Sequence, residues 1–375
     1  MVKKRIAFCL RDMQMGGVES VLVRTLDELQ KHKDIELSLI TYVDIKTPIY
    51  KQYFNEHKNI KTISLYPCSW LGTKLPRFFL ARIVIHFMRD IYRSFKRTFV
   101  AQKLKDIDVF IDYHDFGFYN ELQKIKNAKK IAWFHSSINV FEKRHFINKV
   151  GIYDNVVVLT DACKNDIVNL YPKYVNKFIR IYNPIDIKKV RKDADDKCKI
   201  SGDYFCVVSR LSGDKDIKTV LNAFDMFWNK DKKIKLVFVG DGDCSNEYKS
   251  YAKTLKSSKQ IVFVGAQKNP FVYMKNAMAN ILSSYGEGLP TVLIESSVVN
   301  ALNIASDCKY GPREILLNGD GGLLFESGNV KQLAKHFDDV YNKTVDIKGM
   351  IKKSNRALTR FDSKEIVDQI ISLIS

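Results

Sequence analysis

The sequence predicts two doubly wound α/β domains in tandem, on three observations. Short apolar runs alternate with longer amphipathic stretches along the whole chain, the pattern of parallel strands buried on both faces and their crossover helices. The 375 residues suit two domains of roughly 100–200 residues each. A charged segment, Asp186–Lys199 (DIKKVRKDADDKCK), breaks the alternation near the middle.

In the first half the strand-like runs are Arg5–Leu10, Glu36–Tyr42, Val109–Tyr113, Lys130–Phe134, Val156–Leu159 and Phe178–Tyr182. A second series follows at Tyr204–Ser209, Lys235–Gly240, Gln260–Gly265, Asn280–Ser284 and Leu302–Ser306. These place a first domain at 1–184, a linker at 185–202 and a second domain at 203–375, with the last helix packing back on the first domain. Ligands of such sheets sit at the carboxyl ends of strands, and a cleft between domains is the default substrate site.

Composition excludes several classes. Hydrophobic residues at 46% and charged residues at 27% rule out a disordered or collagen-like chain. Lys+Arg number 61 against 42 Asp+Glu, net +19, a surplus that points to a polyanionic partner. The first 180 residues carry 31 of the cations and 18 of the acids, so the surplus lies mainly there. Seven cysteines stand singly with no C-x-x-C pair, which indicates neither zinc nor a disulfide framework and suits a reducing cytoplasm. The apolar run in MVKKRIAFCL is too short for a signal peptide, and no segment approaches the roughly 20 apolar residues of a membrane span.

Four stretches could carry chemistry. Gly16-Gly17 follow the first strand and open an amphipathic helix; unpaired N–H groups and the aligned dipole of such a terminus favour phosphate or carboxylate. The third glycine of a dinucleotide fingerprint is missing, and no G-x-x-x-x-G-K-[ST] occurs, which disfavours those two nucleotide modes. Arg210-Leu211-Ser212-Gly213-Asp214-Lys215 end a strand, and two cations five residues apart can flank one diphosphate. Phe238-Val239-Gly240-Asp241-Gly242-Asp243 has the form of a strand and a glycine turn. The richest stretch is Ser283-Ser284-Tyr285-Gly286-Glu287-Gly288-Leu289-Pro290-Thr291-Val292-Leu293-Ile294-Glu295. Pro290 sits where a helix can begin, and the two carboxylates around it are acceptors suited to sugar and ribose hydroxyls.

Together these stretches resemble the family 4 retaining glycosyltransferases of the GT-B fold, two Rossmann-like domains facing across a cleft. Y-G-E-G-L-P-T-V-L-I-E-S resembles their E-x7-E signature and V-V-S-R-L-S-G-D-K their R-L-x-x-x-K donor motif, supported by M-G-G-V-E, I-Y-N-P-I-D, F-V-G-D-G-D and K-Y-G-P-R-E-I-L. The resemblance implies that Arg210 and Lys215 neutralise the diphosphate of a nucleotide sugar, that Glu295 accepts ribose hydroxyls and that Glu287 holds the sugar. N–H groups near Gly288 and Leu289 would add contacts, Gly16 and Gly17 would bring the first helix to the diphosphate or acceptor, and His135, in I-A-W-F-H-S-S, would meet the donor sugar. Ser209 stands where the family has glycine before Arg-Leu, Asp216 where it often has glycine after the lysine, and the Gly-x-Pro strand entry beyond Glu295 lacks its proline. The implied chemistry is same-face attack with the leaving diphosphate as base, with no protein nucleophile, no cofactor and no metal.

The surplus charge has a pattern of its own. Residues 71–105 hold nine cations and one acid, Asp90. On a helical wheel Arg82, His86, Arg89, Arg93, Lys96 and Arg97 share one face, and Val84, Phe87, Met88, Ile91 and Phe95 the opposite one. Such a helix can lie on an anionic membrane or can pack its apolar stripe on the sheet and leave the cations in water. The expectation is membrane contact through residues 77–97 and no nucleic-acid binding, since the aromatics do not interleave with the cations. The expected function is transfer of a hexose or N-acetylhexosamine from a UDP-sugar to a lipid-linked or polysaccharide acceptor in surface-glycan synthesis, by a protein peripheral on the cytoplasmic face of the membrane. The alternatives are a glycogen-synthase-like transferase with a soluble acceptor and a non-catalytic membrane- or nucleic-acid-binding module.

Overall fold

The structure is a computed structural model that describes residues 3–375 apart from Met15 and residues 67–78. Lys74, Arg77 and the side chains of Arg82, Arg93, Phe95, Lys96, Arg97 and Lys103, part of the expected basic segment, lie outside the described residues. The chain divides into two compact units, residues 1–159, 163–181 and 367–375, and residues 160–162 and 182–366. Residues 187–193, inside the expected linker, form a helix capped by Asp186, whose carboxylate accepts the Lys189 N–H at 2.9 Å.

The first unit holds a parallel sheet in the order β3 (Lys61–Ser64), β2 (Ile35–Thr41), β1 (Lys4–Leu10), β4 (Val109–Asp112), β5 (Lys129–Phe134), β6 (Asn155–Val158), β7 (Phe178–Arg180). Ile6 to Leu10 are fully buried. The helix Gly17–Leu29 covers them with Val21, Leu22, Thr25, Leu26 and Leu29, spaced as one helical face. The last residues of the chain belong to this unit, where Lys4 and Lys129 donate to the carbonyls of Ser375 and Leu373 at 3.1 and 2.5 Å. Cations at the final carbonyls offset the negative end of the helix dipole.

The second unit repeats the plan with β10 (Ile261–Gly265), β9 (Lys235–Val239), β8 (Tyr204–Val208), β11 (Ala279–Leu282), β12 (Asn303–Ser306) and β13 (Leu323–Phe325), all parallel. The helices Ile217–Phe227 and Val330–Tyr341 pack Phe224, Phe227 and Phe337 against Phe205, the Phe205 and Phe337 rings 4.5 Å apart. Each such ring stabilises the unit by roughly 1.5–3 kcal/mol through burial. Two strands are additions to the sequence expectation. β3 and β13 are edge strands of four and three residues with one buried side chain each, Ile63 and Phe325, too little apolar pattern to stand out.

The helix Phe79–Lys103 departs from expectation at Arg89, and its apolar stripe decides between the two packings left open. Arg89 is 5% exposed, whereas Ile83, Val84, Phe87, Met88 and Ile91 are 42–66% exposed. The apolar stripe therefore faces outward and Arg89 inward, on the side where Tyr92 meets the Tyr66 ring at 6.2 Å. Periodicity tells which residues share a face; what the neighbouring elements offer decides which face turns in. Among the described residues no helix is long and apolar enough to cross a membrane.

Candidate functional site

Each sheet has one point where strand order reverses, between β1 and β4 in the first unit and between β8 and β11 in the second. Ligands of doubly wound sheets bind outside the carboxyl ends of strands at that point. The candidate residues fall on strand exits at or beside these two positions.

In the second unit the β8 exit carries Arg210 and Lys215 and the β11 exit carries Glu287. Lys215 Nζ lies 2.6 Å from Glu287 Oε1, with both side chains about 15% exposed, and 3.5 Å from Asp214 Oδ2. Ser284 Oγ donates to the same Glu287 oxygen at 2.6 Å. The loops are also joined through backbone, with the Tyr285 N–H on the Asp214 carbonyl at 3.1 Å and the Ser283 hydroxyl on the Lys215 carbonyl at 2.7 Å. Burial alone would raise the Asp214 carboxyl; the Ser212 hydroxyl and the Lys215 charge outweigh it and hold the group below its usual range. Arg210 is exposed.

The glycine turn after β9 proves to be a buttress for this loop. Gly240 has φ 144°, and a Cβ there would stand 1.8 Å from the Ser209 carbonyl oxygen. Leu211 donates to the Asp241 carbonyl and accepts from the Cys244 N–H, both at 3.0 Å. Only glycine lets the β9 turn lie this close to the β8 exit. On the other side of β11, Gly311 (φ 92°) presses on Pro290, whose Cδ would be 2.3 Å from a Cβ at that position. Pro290 precedes the helix Thr291–Val298, which carries Glu295 at 9% exposure. Leu289 buries its side chain, and it and Gly288 lie on the same turn between Glu287 and Pro290.

In the first unit Gly16 and Gly17 open the helix after β1. Their φ values require no glycine, since Gly16 at −164° is extended and Gly17 is helical. A Cβ at Gly17 would meet nothing within 4 Å, whereas one at Gly16 would stand 2.5 Å from Glu19 Oε2, so the first turn's own carboxylate lies against the helix start. His135 follows β5, its ring edge-on to Tyr113 at 4.7 Å. Burial drives its pKa down to about 4 despite the opposing charge of Asp115, so the ring is neutral. Its Nε2 is covered and has no hydrogen-bond partner, an acceptor not open to water.

Sequence reasoning passed over the β4 exit, Asp112-Tyr113-His114-Asp115-Phe116. Asp112 is fully buried and pushed up to about 7 by desolvation, against hydrogen bonds from the Tyr153 hydroxyl at 2.6 Å and the Phe118 N–H at 3.0 Å. Glu121, 1% exposed, accepts from the Tyr42 and Tyr66 hydroxyls at 2.8 and 2.9 Å. The one available signal was two Asp residues at the end of an apolar run.

With this geometry in place, the likeness to known proteins is specific. Residues 191–357 match the family of glycosyl transferases group 1. An uncharacterized glycosyltransferase of Methanocaldococcus jannaschii is 27% identical over 249 residues, 60% of this chain and 61% of the relative. The lipopolysaccharide 1,6-galactosyltransferase of Salmonella typhimurium is 28% identical over 44% of this chain and 46% of its own length, so these matches span about half to three fifths of the relatives. The GalNAc-alpha-(1->4)-GalNAc-alpha-(1->3)-diNAcBac-PP-undecaprenol alpha-1,4-N-acetyl-D-galactosaminyltransferase of Campylobacter jejuni is 23% identical over 99% of this chain and 98% of its own. Among solved structures, HepE of Anabaena in complex with UDP superposes with a TM-score of 0.78 at 15% identity and TarM of Staphylococcus aureus with 0.75 at 14%, each over 99% of both chains. Two switch-point sheets of this order and these likenesses make the chain a GT-B-fold protein whose residues 191–357 match a glycosyltransferase family.

Proposed function

We propose that the chain is a retaining glycosyltransferase of the family 4 type that moves a hexose or N-acetylhexosamine from a UDP-sugar to a lipid-linked or polysaccharide acceptor. The observation that carries this reading is the Lys215–Glu287 pair, drawn from two strand exits on either side of the second switch point. Before the donor arrives each group satisfies the other. A diphosphate entering beside Arg210 takes over Lys215, and Glu287 is released to accept sugar hydroxyls; Glu295 accepts the ribose hydroxyls, and N–H groups near Gly288 and Leu289 add contacts. The acceptor hydroxyl then attacks the anomeric carbon from the face that the diphosphate leaves, and a departing phosphate oxygen takes its proton. Charge stabilisation by Arg210 and Lys215 replaces a metal in this scheme. His135, kept neutral, accepts a donor-sugar hydroxyl, and the helix N-terminus at Gly16-Gly17 meets diphosphate or acceptor. HepE, solved with UDP, and the undecaprenol-linked substrate named for the Campylobacter relative support the choice of donor and acceptor class.

The test is nucleotide release by the purified chain across a panel of nucleotide sugars, with and without EDTA. Release from a UDP-sugar at the same rate in EDTA is expected. Absence of release and of binding with every donor would remove the enzyme reading, and strong EDTA sensitivity would remove metal independence.

The same reading places the protein on the cytoplasmic face of a membrane. Ile83, Val84, Phe87, Met88 and Ile91 present an apolar stripe to the outside within a segment of nine cations and one acid, the composition of a helix lying in an anionic interface. Phe87→Asp combined with Met88→Asp is expected to cut cosedimentation with phosphatidylglycerol vesicles at least roughly tenfold, since each buried apolar side chain supplies about 1.5–3 kcal/mol. Equal binding by this variant, or salt-sensitive nucleic-acid binding without vesicle binding, would overturn the assignment.

A further inference from the structure

The helix Ile347–Arg356 of the second unit carries a pattern of cations that the donor site does not use. Lys348, Lys352 and Arg356 recur every four residues, the spacing that puts side chains on one helix face. All three are exposed, and among the described residues none has an acid partner. Their neighbours are better matched. Lys353, on the adjoining face, meets Asp320 at 2.8 Å, Lys335 meets Asp339 at 2.7 Å, and Asp346 caps the helix by accepting the Gly349 N–H at 2.9 Å. Like charges four residues apart repel, and Lys348 stands in the first helical turn, where the dipole disfavours a cation. An anion would relieve both effects.

The three cations border a cavity. A groove of about 540 Å³ is lined by them together with Asn300, Ile351 and Asn355. Its walls are tied to each other. Asn300, in left-handed backbone at φ 62°, follows the helix Thr291–Val298, and its side-chain carbonyl accepts from Asn355 Nδ2 at 2.6 Å. The buried Ser354 hydroxyl donates to Ser297 Oγ at 2.9 Å and joins the two helices underneath. The last carbonyls of Thr291–Val298 already have donors: the Ala301 and Asn300 N–H groups reach Ser296 and Ser297 at 3.1 and 3.0 Å, and Arg191 Nε reaches Val298 at 3.2 Å. That helix end therefore does not call for the three cations as counter-charges. Nor does the donor loop, which precedes Thr291 and is separated from the groove by the helix, roughly 12 Å long.

We propose that this groove binds a phosphate-bearing group. Arg356 can grip two phosphate oxygens with its planar fork, Lys348 and Lys352 add point charges, and Ile351 gives the carbon part of the ligand an apolar surface. The phosphate belongs to a soluble compound or to the head of an anionic lipid, since the same cations serve both. The proposal stands apart from the transferase reading, and a chain that turned over no nucleotide sugar would leave it in place.

The experiment compares the full chain with a variant carrying Lys348→Gln, Lys352→Gln and Arg356→Gln. One arm follows the melting midpoint as inorganic pyrophosphate is added in saturating UDP, which occupies the diphosphate position beside Arg210 and Lys215. The other measures cosedimentation with phosphatidylglycerol vesicles. Pyrophosphate should raise the midpoint of the unaltered chain by roughly 3 °C or more and that of the variant by less than about 1 °C, the mass-action effect of a lost site. For a lipid head, vesicle binding should instead fall at least roughly tenfold in the variant, because each cation near an anionic surface adds to the attraction. Loss in the pyrophosphate arm assigns a soluble compound, and loss in the vesicle arm alone assigns a lipid. A control with Lys253→Gln, Lys256→Gln and Lys259→Gln removes the same charge from exposed positions elsewhere on the unit and should behave as the unaltered chain. Should the triple variant fail to fold, Lys352→Glu, one exposed charge reversed, goes through both arms in its place. Equal behaviour of variant and unaltered chain in both arms overturns the proposal, and so does an equal loss in the control.

Discussion

Lys215→Ala should lower kcat/KM for the nucleotide sugar by about 10²–10³-fold, the usual effect of removing one preorganised group that meets developing charge. Two consequences combine. The diphosphate loses a cation, and Glu287 loses the ammonium at 2.6 Å, keeping only the Ser284 hydroxyl among the bonds described for it. The backbone ties between the loops, from Tyr285 to Asp214 and from Ser283 to Lys215, do not depend on the ammonium, so the fold should survive. Lys215→Arg should not rescue fully, because a planar fork cannot occupy the place of a point charge beside Glu287 and Asp214. Nucleotide-release kinetics together with a thermal melt separate the two effects; rates within about threefold of the unaltered protein would take Lys215 out of the site.

The largest effect on stability is expected at Gly240. A Cβ at 1.8 Å from the Ser209 carbonyl oxygen and 2.9 Å from its carbon meets backbone on a strand exit, and φ 144° is closed to side chains. The strands cannot part to relieve it, because Ser209 donates to the Val239 carbonyl at 3.1 Å and Leu211 to the Asp241 carbonyl at 3.0 Å. Gly240→Ala should therefore cost on the order of 3 kcal/mol or more. For a unit of this size that lowers the melting midpoint by roughly 10 °C. Activity should fall with it, since the displaced segment carries Arg210 and Lys215. Gly213→Ala, four residues beyond Ser209 with nothing within 4 Å of a Cβ, is the control and should change stability by no more than about 0.5 kcal/mol. A Gly240→Ala melt equal to that of the control would show that the close approach does not exist.

Much of this architecture was legible in the residues, and what was not has physical causes. Eleven of the strands follow apolar runs that parallel burial imposes. β3 and β13 escaped because an edge strand with one inward side chain, such as Ile63 in Lys61–Ser64, carries almost no periodic signal. Arg210, Lys215 and Glu287 were visible as charged residues at strand exits, but their contact was not, because it joins positions 72 residues apart. Gly240 was visible as a turn; the backbone it touches comes from another strand. The direction of the Phe79–Lys103 helix was left open for a similar reason, as a wheel ranks faces without naming the neighbour. The positive φ of Asp115 left no trace, since left-handed backbone at a non-glycine residue is set by tertiary packing, here the burial of Phe116.

The pairing of Lys215 with Glu287 also divides the work of donor capture. A cation already compensated at 2.6 Å projects little field into solvent, so a distant diphosphate senses Arg210 and the net +19 of the chain. Those exposed charges act over about 8–10 Å at ordinary ionic strength and fade as salt is added. On the proposed reading, encounter with the donor would be a salt-sensitive step led by Arg210, and Lys215 would act only after contact, where it would set how long the nucleotide stays.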